Sequence, residues 1–223
     1  MDQAARARLL AMCPFFAGVP ESDLLRLAGG AQLRRYRRGQ PLFSEGDSGD
    51  ALLVVIEGSL KAFSARPEGG ELLLAVVNQY DTVGELTVAD GGARSASVSA
   101  LTDVTVLRVP REMILAVASN SPALTKALLG SLAAVIRRLT GSAADLAFLD
   151  IPRRVAKLVV SRAASDNSTP ARLTQTEMAA AVGASRQSLN AALQEFQRRG
   201  WITVRPGEVE LLDPPALWRF IGE

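Results

Sequence analysis

Histidine is absent from this sequence, and cysteine occurs once, as Cys13. Imidazole-ligated metal centres and haem groups need histidine, and iron-sulfur clusters need several cysteines. Because no histidine can activate the Cys13 thiol as a nucleophile, we interpret Cys13 as a packed residue. These two absences exclude most metal and thiol chemistry, and we expect no bound metal.

The sequence also lacks a long apolar run. No stretch approaches the roughly 20 apolar residues that span a bilayer. The first six residues, Met1–Arg6, are not followed by the apolar core of a signal peptide. We therefore expect a cytoplasmic protein with no membrane partner.

Composition and charge are those of an ordinary folded protein. The 223 residues are 48% hydrophobic and 22% charged, and this length allows two domains of usual size. The formal net charge of +2 is too small to indicate nucleic-acid binding by itself. Evidence for binding must therefore come from the positions of particular residues.

Short β-prone runs separated by turn residues fill the segment from Leu33 to Val109. Such spacing is typical of an antiparallel sandwich or barrel. Continuous apolar runs at 52–56 and 72–77 predict buried strands, although a short buried helix could have the same composition. A short helix with acidic residues in its first turn is predicted before them, at 21–28.

Glu85 and Arg94 stand nine positions apart, on either side of a small, glycine-rich segment that we expect to be a loop. A carboxylate can accept a hydrogen bond from a sugar hydroxyl, and a guanidinium fork can pair with a phosphate. Small residues at Gly84 and Ser95 would let backbone N–H groups approach an anion closely. The segment fits a cyclic phosphate fused to a ribose, although each residue alone could be an ordinary turn or surface residue.

The apolar period changes after Pro122. Spacings then alternate between four and three residues, as in the seam of a two-stranded coiled coil. The seam consists of Leu128, Leu132, Val135, Leu139, Ser142, Leu146 and Leu149. This pattern predicts a parallel homodimer; the alternative is a single helix packed on its own domain, because Gly141 and Ser142 weaken the seam. Pro152 ends the helix and marks a domain boundary.

The C-terminal third has the pattern of a winged helix-turn-helix. Thr174 to Glu177 is a capping box that starts one helix, and Gly183 permits a tight turn after it. Ser185 can cap a second helix at 186–199, and runs at 201–204 and 209–212 predict a hairpin around Pro206-Gly207. An exposed loop is predicted before these elements, at 165–170. The alternative is a pair of structural helices in an unrelated bundle.

The start of the second helix carries side chains that suit a DNA major groove. Arg186 matches the O6 and N7 atoms of guanine, and Gln187 can pair with adenine. Arg198 and Arg199 are either phosphate contacts or solvated charges at the helix end. The predicted DNA-binding residues are Thr174, Gln175, Ser185, Arg186, Gln187 and Asn190.

Three segments, 78–86, 145–152 and 173–202, together with the Glu85 and Arg94 pair, resemble the cyclic-AMP receptor protein (Crp/Fnr) family of bacterial transcription regulators. The resemblance covers nearly the whole chain. It implies an α+β fold with an N-terminal β jelly-roll cyclic-nucleotide-binding domain at 1–121, a dimerisation helix at 122–149 and a C-terminal winged helix-turn-helix domain at 150–223. It also implies a homodimer that binds a two-fold related operator on double-stranded DNA and contacts RNA polymerase.

The resemblance further implies a cyclic nucleotide effector, with cyclic AMP expected first and cyclic GMP second. The implied ligand-binding residues are Leu74, Ala75, Val83, Gly84, Glu85, Leu86, Arg94, Ser95, Ala96, Leu139 and Thr140. The chain departs from the family where the base is read, because Leu139 replaces a usual threonine and Ala75 replaces a frequent serine. Thr140, reaching toward the partner's ligand, is then the main base contact left.

The chain also departs from the family at the DNA-reading helix. Gln187 stands where a glutamate is usual, and Ala191 replaces a reading arginine of well-known members. The familiar operator is therefore not assumed.

Two other functions share these elements. A cupin-type enzyme would use the same jelly roll but would need a metal-ligand cluster or a histidine base, so we do not expect an enzyme. A regulator that binds DNA without a nucleotide stays open as the alternative.

Overall fold

The computed structural model describes residues 1–65, 70–163, 173–205 and 208–222. As far as they are described, the residues divide into two compact units, one of 1–64 with 75–137 and the other of 65–74 with 138–223. This division falls inside the predicted dimerisation helix, and the predicted domain bounds stay a prediction. The predicted loop at 165–170 and the Pro206-Gly207 turn lie outside the described residues.

Two four-stranded sheets form a β sandwich, whose residues belong to the first unit except for Ala65 of β4 and 71–74 of β5. One has the strand order β1-β8-β3-β6 and the other the order β2-β7-β4-β5. The strands are β1 Gln32–Tyr36, β2 Pro41–Phe43, β3 Ala51–Glu57, β4 Leu60–Ala65, β5 Glu71–Val77, β6 Thr82–Val83, β7 Ser97–Ala100 and β8 Val104–Pro110. The pairs β1-β8, β3-β8, β3-β6, β2-β7 and β4-β7 are antiparallel. Sheet neighbours that are distant in sequence confirm the predicted jelly roll.

The continuous apolar run of β3 is buried on both of its faces. Leu52 and Val54 belong to one core cluster, together with the apolar residues of the helices. Leu53 and Val55 belong to a second cluster, which lies between the sheets. Because successive strand side chains point to opposite faces, a strand between two cores has no polar face, and this explains the unbroken run.

Helices flank this sandwich. They are α1 Gln3–Ala11, α2 Glu21–Gly30, α3 Glu85–Asp90, α4 Arg111–Ala118 and α5 Pro122–Phe148. The sequence predicted α2 and α5 but not α1 or α4. Cys13, which follows α1, is buried, and its S–H donates to the Tyr80 carbonyl at 2.7 Å. Burial raises the pKa of this thiol to about 11, as expected for a packed cysteine.

The second unit consists of α6 Ile151–Ala163, α7 Gln175–Ala181, α8 Arg186–Arg198, β9 Ile202–Arg205, β10 Glu208–Leu211 and α9 Pro214–Gly222, with the end of α5. Pro152 lies in the first turn of α6, where a proline is tolerated. Asp150 caps that helix by accepting from the Arg153 N–H at 2.9 Å. The long helix thus ends just before Pro152, as predicted, and Pro152 itself already belongs to the next helix.

No pattern in the sequence predicted α9. Phe220 of α9 joins Phe196 of α8 and Trp201 in an aromatic cluster, with ring centroids 5.6 to 5.7 Å apart. These contacts hold the last helix on the second unit.

Along the described residues, no helix combines the length and the apolar character that crossing a bilayer requires.

Candidate functional site

The segment after Gly84 begins as the short helix α3, where a loop was expected. Gly84 before this helix has φ +103°, and Gly91 after it has φ +71°. Both values lie in the left-handed region that glycine adopts without steric cost. The glycines therefore act as the two ends of a helix, a correction to the predicted loop.

Glu85 is buried at the start of α3, with 8% of its surface exposed. The Thr82 hydroxyl donates a hydrogen bond to Glu85 Oε1. A buried carboxylate needs such a partner, and Thr82 fixes the orientation of the acid.

Arg94 is also buried, with 6% of its surface exposed. Its Nη2 donates to the Ala51 carbonyl at 3.0 Å. Its Nε and Nη1 are buried without a hydrogen-bond partner among the described residues. Burial lowers the pKa of this guanidinium from its ordinary value. Unsatisfied buried donors on a cation are costly, and an anion beside them would satisfy them.

Gly84 brings the two predicted residues together. A Cβ at this position would lie 2.5 Å from Arg94 Nη1 and 2.9 Å from the Ala51 carbonyl oxygen. Because real Cβ atoms do not approach other atoms so closely, only glycine lets the start of α3 pack on the Arg94 side chain. Glu85 and Arg94 consequently share one small region of the first unit.

The backbone around Arg94 is fixed by the loop before β3. The Arg94 N–H donates to the Asp47 carbonyl at 2.8 Å, and the Gly46 N–H donates to the Arg94 carbonyl at 2.9 Å. On the other side of α3, Arg111 Nε donates to the Thr87 and Val88 carbonyls at 3.1 and 3.0 Å. The site is thus held on both sides by hydrogen bonds to backbone groups.

Sequence reasoning missed three groups that support this site: Phe43, the Ala51 carbonyl and Arg111. The Phe43 ring centroid lies 4.2 Å from Arg94 Cζ. A carbonyl carries no signal in the side-chain sequence, and a contact between residues 43 and 94 cannot be inferred without the fold.

The other predicted ligand residues are distributed over both units. Val83 pairs with Leu53 in the first sheet, Leu86 is half-buried in α3, Ser95 is exposed and Ala96 is half-buried. Ala75 lies on β5 in the first unit, whereas Leu74, Leu139 and Thr140 belong to the second. Their approach to a ligand stays a prediction.

The helix-turn-helix forms as the sequence predicted. Thr174 Oγ1 accepts from the Glu177 N–H at 3.2 Å, and Glu177 Oε2 accepts from the Thr174 N–H at 2.7 Å. Gly183 has φ +63°. Ser185 caps α8 by accepting from the Ser188 N–H at 3.0 Å.

The predicted DNA-binding residues differ in the exposure and the hydrogen bonds of their side chains. Arg186 and Gln187 are exposed at the start of α8. Thr174 and Ser185 are exposed too, but their hydroxyls serve the helix caps, and Gln175 is half-buried. Asn190 Oδ1 is buried without a hydrogen-bond partner in the described part of the chain.

Arg198 and Arg199 at the end of α8 pair with one acid. Arg198 Nη2 and Arg199 Nε lie 2.5 and 2.6 Å from the two carboxylate oxygens of Glu195. These hydrogen bonds lower the pKa of Glu195. Both arginine side chains stay largely exposed, so their role as phosphate contacts or as charges at a helix end stays a prediction.

Apolar side chains are exposed along α5. Leu129 and Ile136 are each 63% exposed, and Leu139 and Leu146 are 48% and 49% exposed. Leu128, in contrast, is buried in the core of the first unit. These four exposed residues, Leu129, Ile136, Leu139 and Leu146, form the exposed stripe of α5. The stripe shares Leu139 and Leu146 with the predicted seam, whereas Leu128 is buried in the first unit. The rest of the seam stays a prediction.

Arg154 ties the end of α5 to the helix-turn-helix within the second unit. Its Nη1 donates to the Leu149 carbonyl at 2.7 Å, and its Nε donates to the Val182 carbonyl at 2.9 Å. One guanidinium thus satisfies carbonyls at the ends of two helices, which otherwise lack partners.

Comparison with known proteins assigns families to most of the chain. Residues 33–121 match the family described as cyclic nucleotide-binding domain, and residues 153–220 match the Crp-like helix-turn-helix domain. The chain is 35% identical to the CRP-like cAMP-activated global transcriptional regulator of Mycobacterium tuberculosis, over 95% of this chain and 97% of that protein. It is 29% identical to the cyclic AMP receptor protein of Thermus thermophilus, over 92% and 94% of the two chains. The c-di-GMP responsive global regulator CLP of Xanthomonas campestris has a similar fold, with a TM-score of 0.76 and 22% identity over 86% of this chain and 99% of that one.

Proposed function

The chain belongs to the cyclic-AMP receptor protein (Crp/Fnr) family of DNA-binding transcription regulators, and we propose that it is a homodimer in which cyclic AMP controls binding to a two-fold related operator. The matched domains are those of cyclic-nucleotide-binding regulators and not of enzymes. Both relatives compared above carry cyclic AMP in their names. Cyclic AMP is the first effector to test, and cyclic GMP is the second.

The observation that carries the ligand proposal is the pair of unsatisfied donors on buried Arg94. A cyclic phosphate is a compact monoanion, and charge-assisted bonds to a guanidinium are the strong kind of hydrogen bond. Nε and Nη1 are two such donors on one planar fork. Glu85 lies beside this fork and can accept from a ribose hydroxyl through its carboxylate.

Isothermal titration calorimetry with cyclic AMP and cyclic GMP tests the ligand proposal. Replacing Arg94 by alanine removes the charge-assisted pair, so we expect a loss of about 2 kcal/mol or more in binding free energy. Arg35→Ala removes an exposed arginine of β1 and is the matched control. Unchanged affinity of Arg94→Ala would show that the phosphate binds elsewhere.

The dimer proposal is supported by the exposed stripe on α5. Its four large apolar residues are 48% to 63% exposed, and the helix gains by burying them against a second copy. A two-fold dimer then places two copies of α8 about one helical turn of DNA apart. Arg186 and Gln187 are the side chains we propose for base contacts. Contact with RNA polymerase rests on family membership alone.

A regulator that binds DNA without a nucleotide is the alternative function. It is favoured by Ala75 and Leu139, which cannot donate to a base through their side chains. Operator affinity that is the same with and without each nucleotide would support this alternative.

A further inference from the structure

The guanidinium carbon of Arg94 lies over an aromatic ring, that of Phe43, which no family motif assigned to the site. This inference rests on the proposed function. We propose that Phe43 is a positioning residue for the cyclic phosphate. The Phe43 ring fixes the plane of the Arg94 guanidinium and so orients the two donors, Nε and Nη1, that are unpaired in the described part of the chain. The distance from Arg94 Cζ to the Phe43 ring centroid is 4.2 Å, well within the range of a cation–π contact.

The fold holds Phe43 firmly. It ends the short strand β2, where it pairs with Val98 of β7. Its side chain packs against the core cluster between the sheets. The ring is therefore a fixed surface against which a side chain from another segment can be placed.

The guanidinium needs such a surface. Its one hydrogen bond in the described structure, from Nη2 to the Ala51 carbonyl, fixes a point but leaves the plane free to turn about that bond. A ring face on one side removes this freedom, since the planar fork stacks on the aromatic face. Gly84 leaves space beside Nη1, so the stacked arrangement is sterically allowed.

The contact also offsets part of the cost of burying the charge. Arg94 is 6% exposed and has lost most of its water. Cation–π contacts are strongest when the cation is desolvated. Without the ring, the ligand would have to order the guanidinium as it binds, and that ordering weakens affinity.

The experiment varies the ring at position 43 in the full-length chain and measures the dissociation constant for cyclic AMP by calorimetry. Phe43→Leu removes the π face, and we expect affinity to fall roughly 30-fold, the equivalent of a desolvated cation–π contact. Incorporating 4-fluoro- and 3,4,5-trifluorophenylalanine at position 43 weakens the π face with little change of shape. We expect affinity to fall stepwise from phenylalanine through the 4-fluoro to the 3,4,5-trifluoro residue.

Phe63 provides a matched control. It lies on β4 in the same sheet as β2, and its ring is under the Lys61 ammonium at 4.4 Å. Phe63→Leu and the same fluorinated residues at position 63 remove or weaken an equivalent contact away from the Arg94 fork. We expect them to leave affinity unchanged.

The outcomes separate this proposal from the proposed function. If the parent protein binds neither cyclic nucleotide, the proposed function fails, whatever the variants do. If the parent binds and Arg94→Ala does not, equal affinity across the fluorinated series at position 43 overturns the role of Phe43. Should Phe43→Leu fail to fold, as judged by its thermal unfolding, the fluorinated series still decides, because its rings keep the native shape.

Discussion

At the scale of single residues, Gly84 carries two constraints at one backbone position. Its φ of +103° lies in the left-handed region, and a Cβ there would meet Arg94 Nη1 and the Ala51 carbonyl. Either constraint alone would favour glycine. Together they make this residue the point at which the start of α3 packs on Arg94.

Gly84→Ala is expected to destabilise the first unit by more than the conformational cost alone. A left-handed alanine costs about 1 to 2 kcal/mol, and the displaced Arg94 adds to this. Gly18→Ala is the matched control, since Gly18 has φ +79° and a Cβ there would meet no atom within 4 Å in the described part of the chain. Urea unfolding measures both variants, and calorimetry measures their affinity for cyclic AMP.

The two glycine variants should differ in both measurements. We expect Gly18→Ala to keep the parental affinity and Gly84→Ala to lose it, because the arginine can no longer hold its position. Equal losses of stability, with equal affinities, would mean that Arg94 moves aside without consequence.

Residue identity made the polar part of the site predictable from the sequence. Glu85 and Arg94 have few local reasons to occur beside glycines and small residues, so their types and spacing indicated an anion site. Phe43 could not be found in this way. An aromatic residue at the end of a strand is most often part of a core, and its contact with Arg94 depends on how β2 and the loop after α3 meet.

At the scale of elements, local signals predicted helix ends more reliably than helix faces. The caps at Thr174 and Ser185 involve residues within three positions of each other, so a short sequence pattern contains all the groups concerned. The buried face of α5 depends instead on the first unit's core, which contains Leu124 and Leu128. A heptad pattern cannot tell which of two adjacent leucines enters that core, so it predicts Leu128 for the seam although Leu128 is buried in the first unit.

Ile136 of the exposed stripe and Val135 of the predicted seam are adjacent on α5. Substitutions at the two positions can show which of them lies in a dimer interface. Ile136→Glu places a charge at a 63% exposed apolar position, so we expect it to convert dimers into monomers by burying a charge at the helix pair. Arg137→Glu changes a charge at the next exposed position without removing an apolar side chain and is the control. Sedimentation velocity measures the oligomeric state of each variant.

The same sedimentation measurement on a Val135 variant tests whether the dimer interface contains Val135 or Ile136. Val135→Glu lies at a half-buried position of the seam expected from the sequence. Monomers from Val135→Glu together with dimers from Ile136→Glu would restore that seam. Dimers from both variants would remove α5 from the interface.

At the scale of the whole molecule, the proposed function requires that the two units affect each other's binding of ligand and DNA. The ligand site proposed around Arg94 lies in the first unit, and the DNA-reading helix α8 lies in the second. Between them the chain runs through the 27-residue helix α5, and Arg154 ties the end of that helix to the turn before α8. A ligand can shift DNA affinity only through a difference in its affinity for two states of the protein.

Linkage gives this proposal a quantitative form. If cyclic AMP raises operator affinity by some factor, the operator must raise cyclic AMP affinity by the same factor, commonly about 5- to 150-fold. An operator obtained by selection from random DNA allows both measurements, by fluorescence anisotropy with and without nucleotide and by calorimetry with and without DNA. Two unequal factors would mean that the preparation contains more than one binding process.

Single substitutions test the ligand site and the start of α8 separately. Arg94→Ala should leave the operator affinity of the nucleotide-free protein unchanged and remove the response to cyclic AMP, since it alters only the ligand site.

Arg186→Ala should weaken operator binding by roughly 1 to 3 kcal/mol and relax the preference at one guanine, while cyclic AMP binds as in the parent when DNA is absent. Gln187→Glu should shift one position toward cytosine, because a carboxylate accepts and cannot donate. If repeated selection returns the parental sequence preference for both Arg186→Ala and Gln187→Glu, the start of α8 does not enter the major groove, and the coupling must reach DNA through another surface.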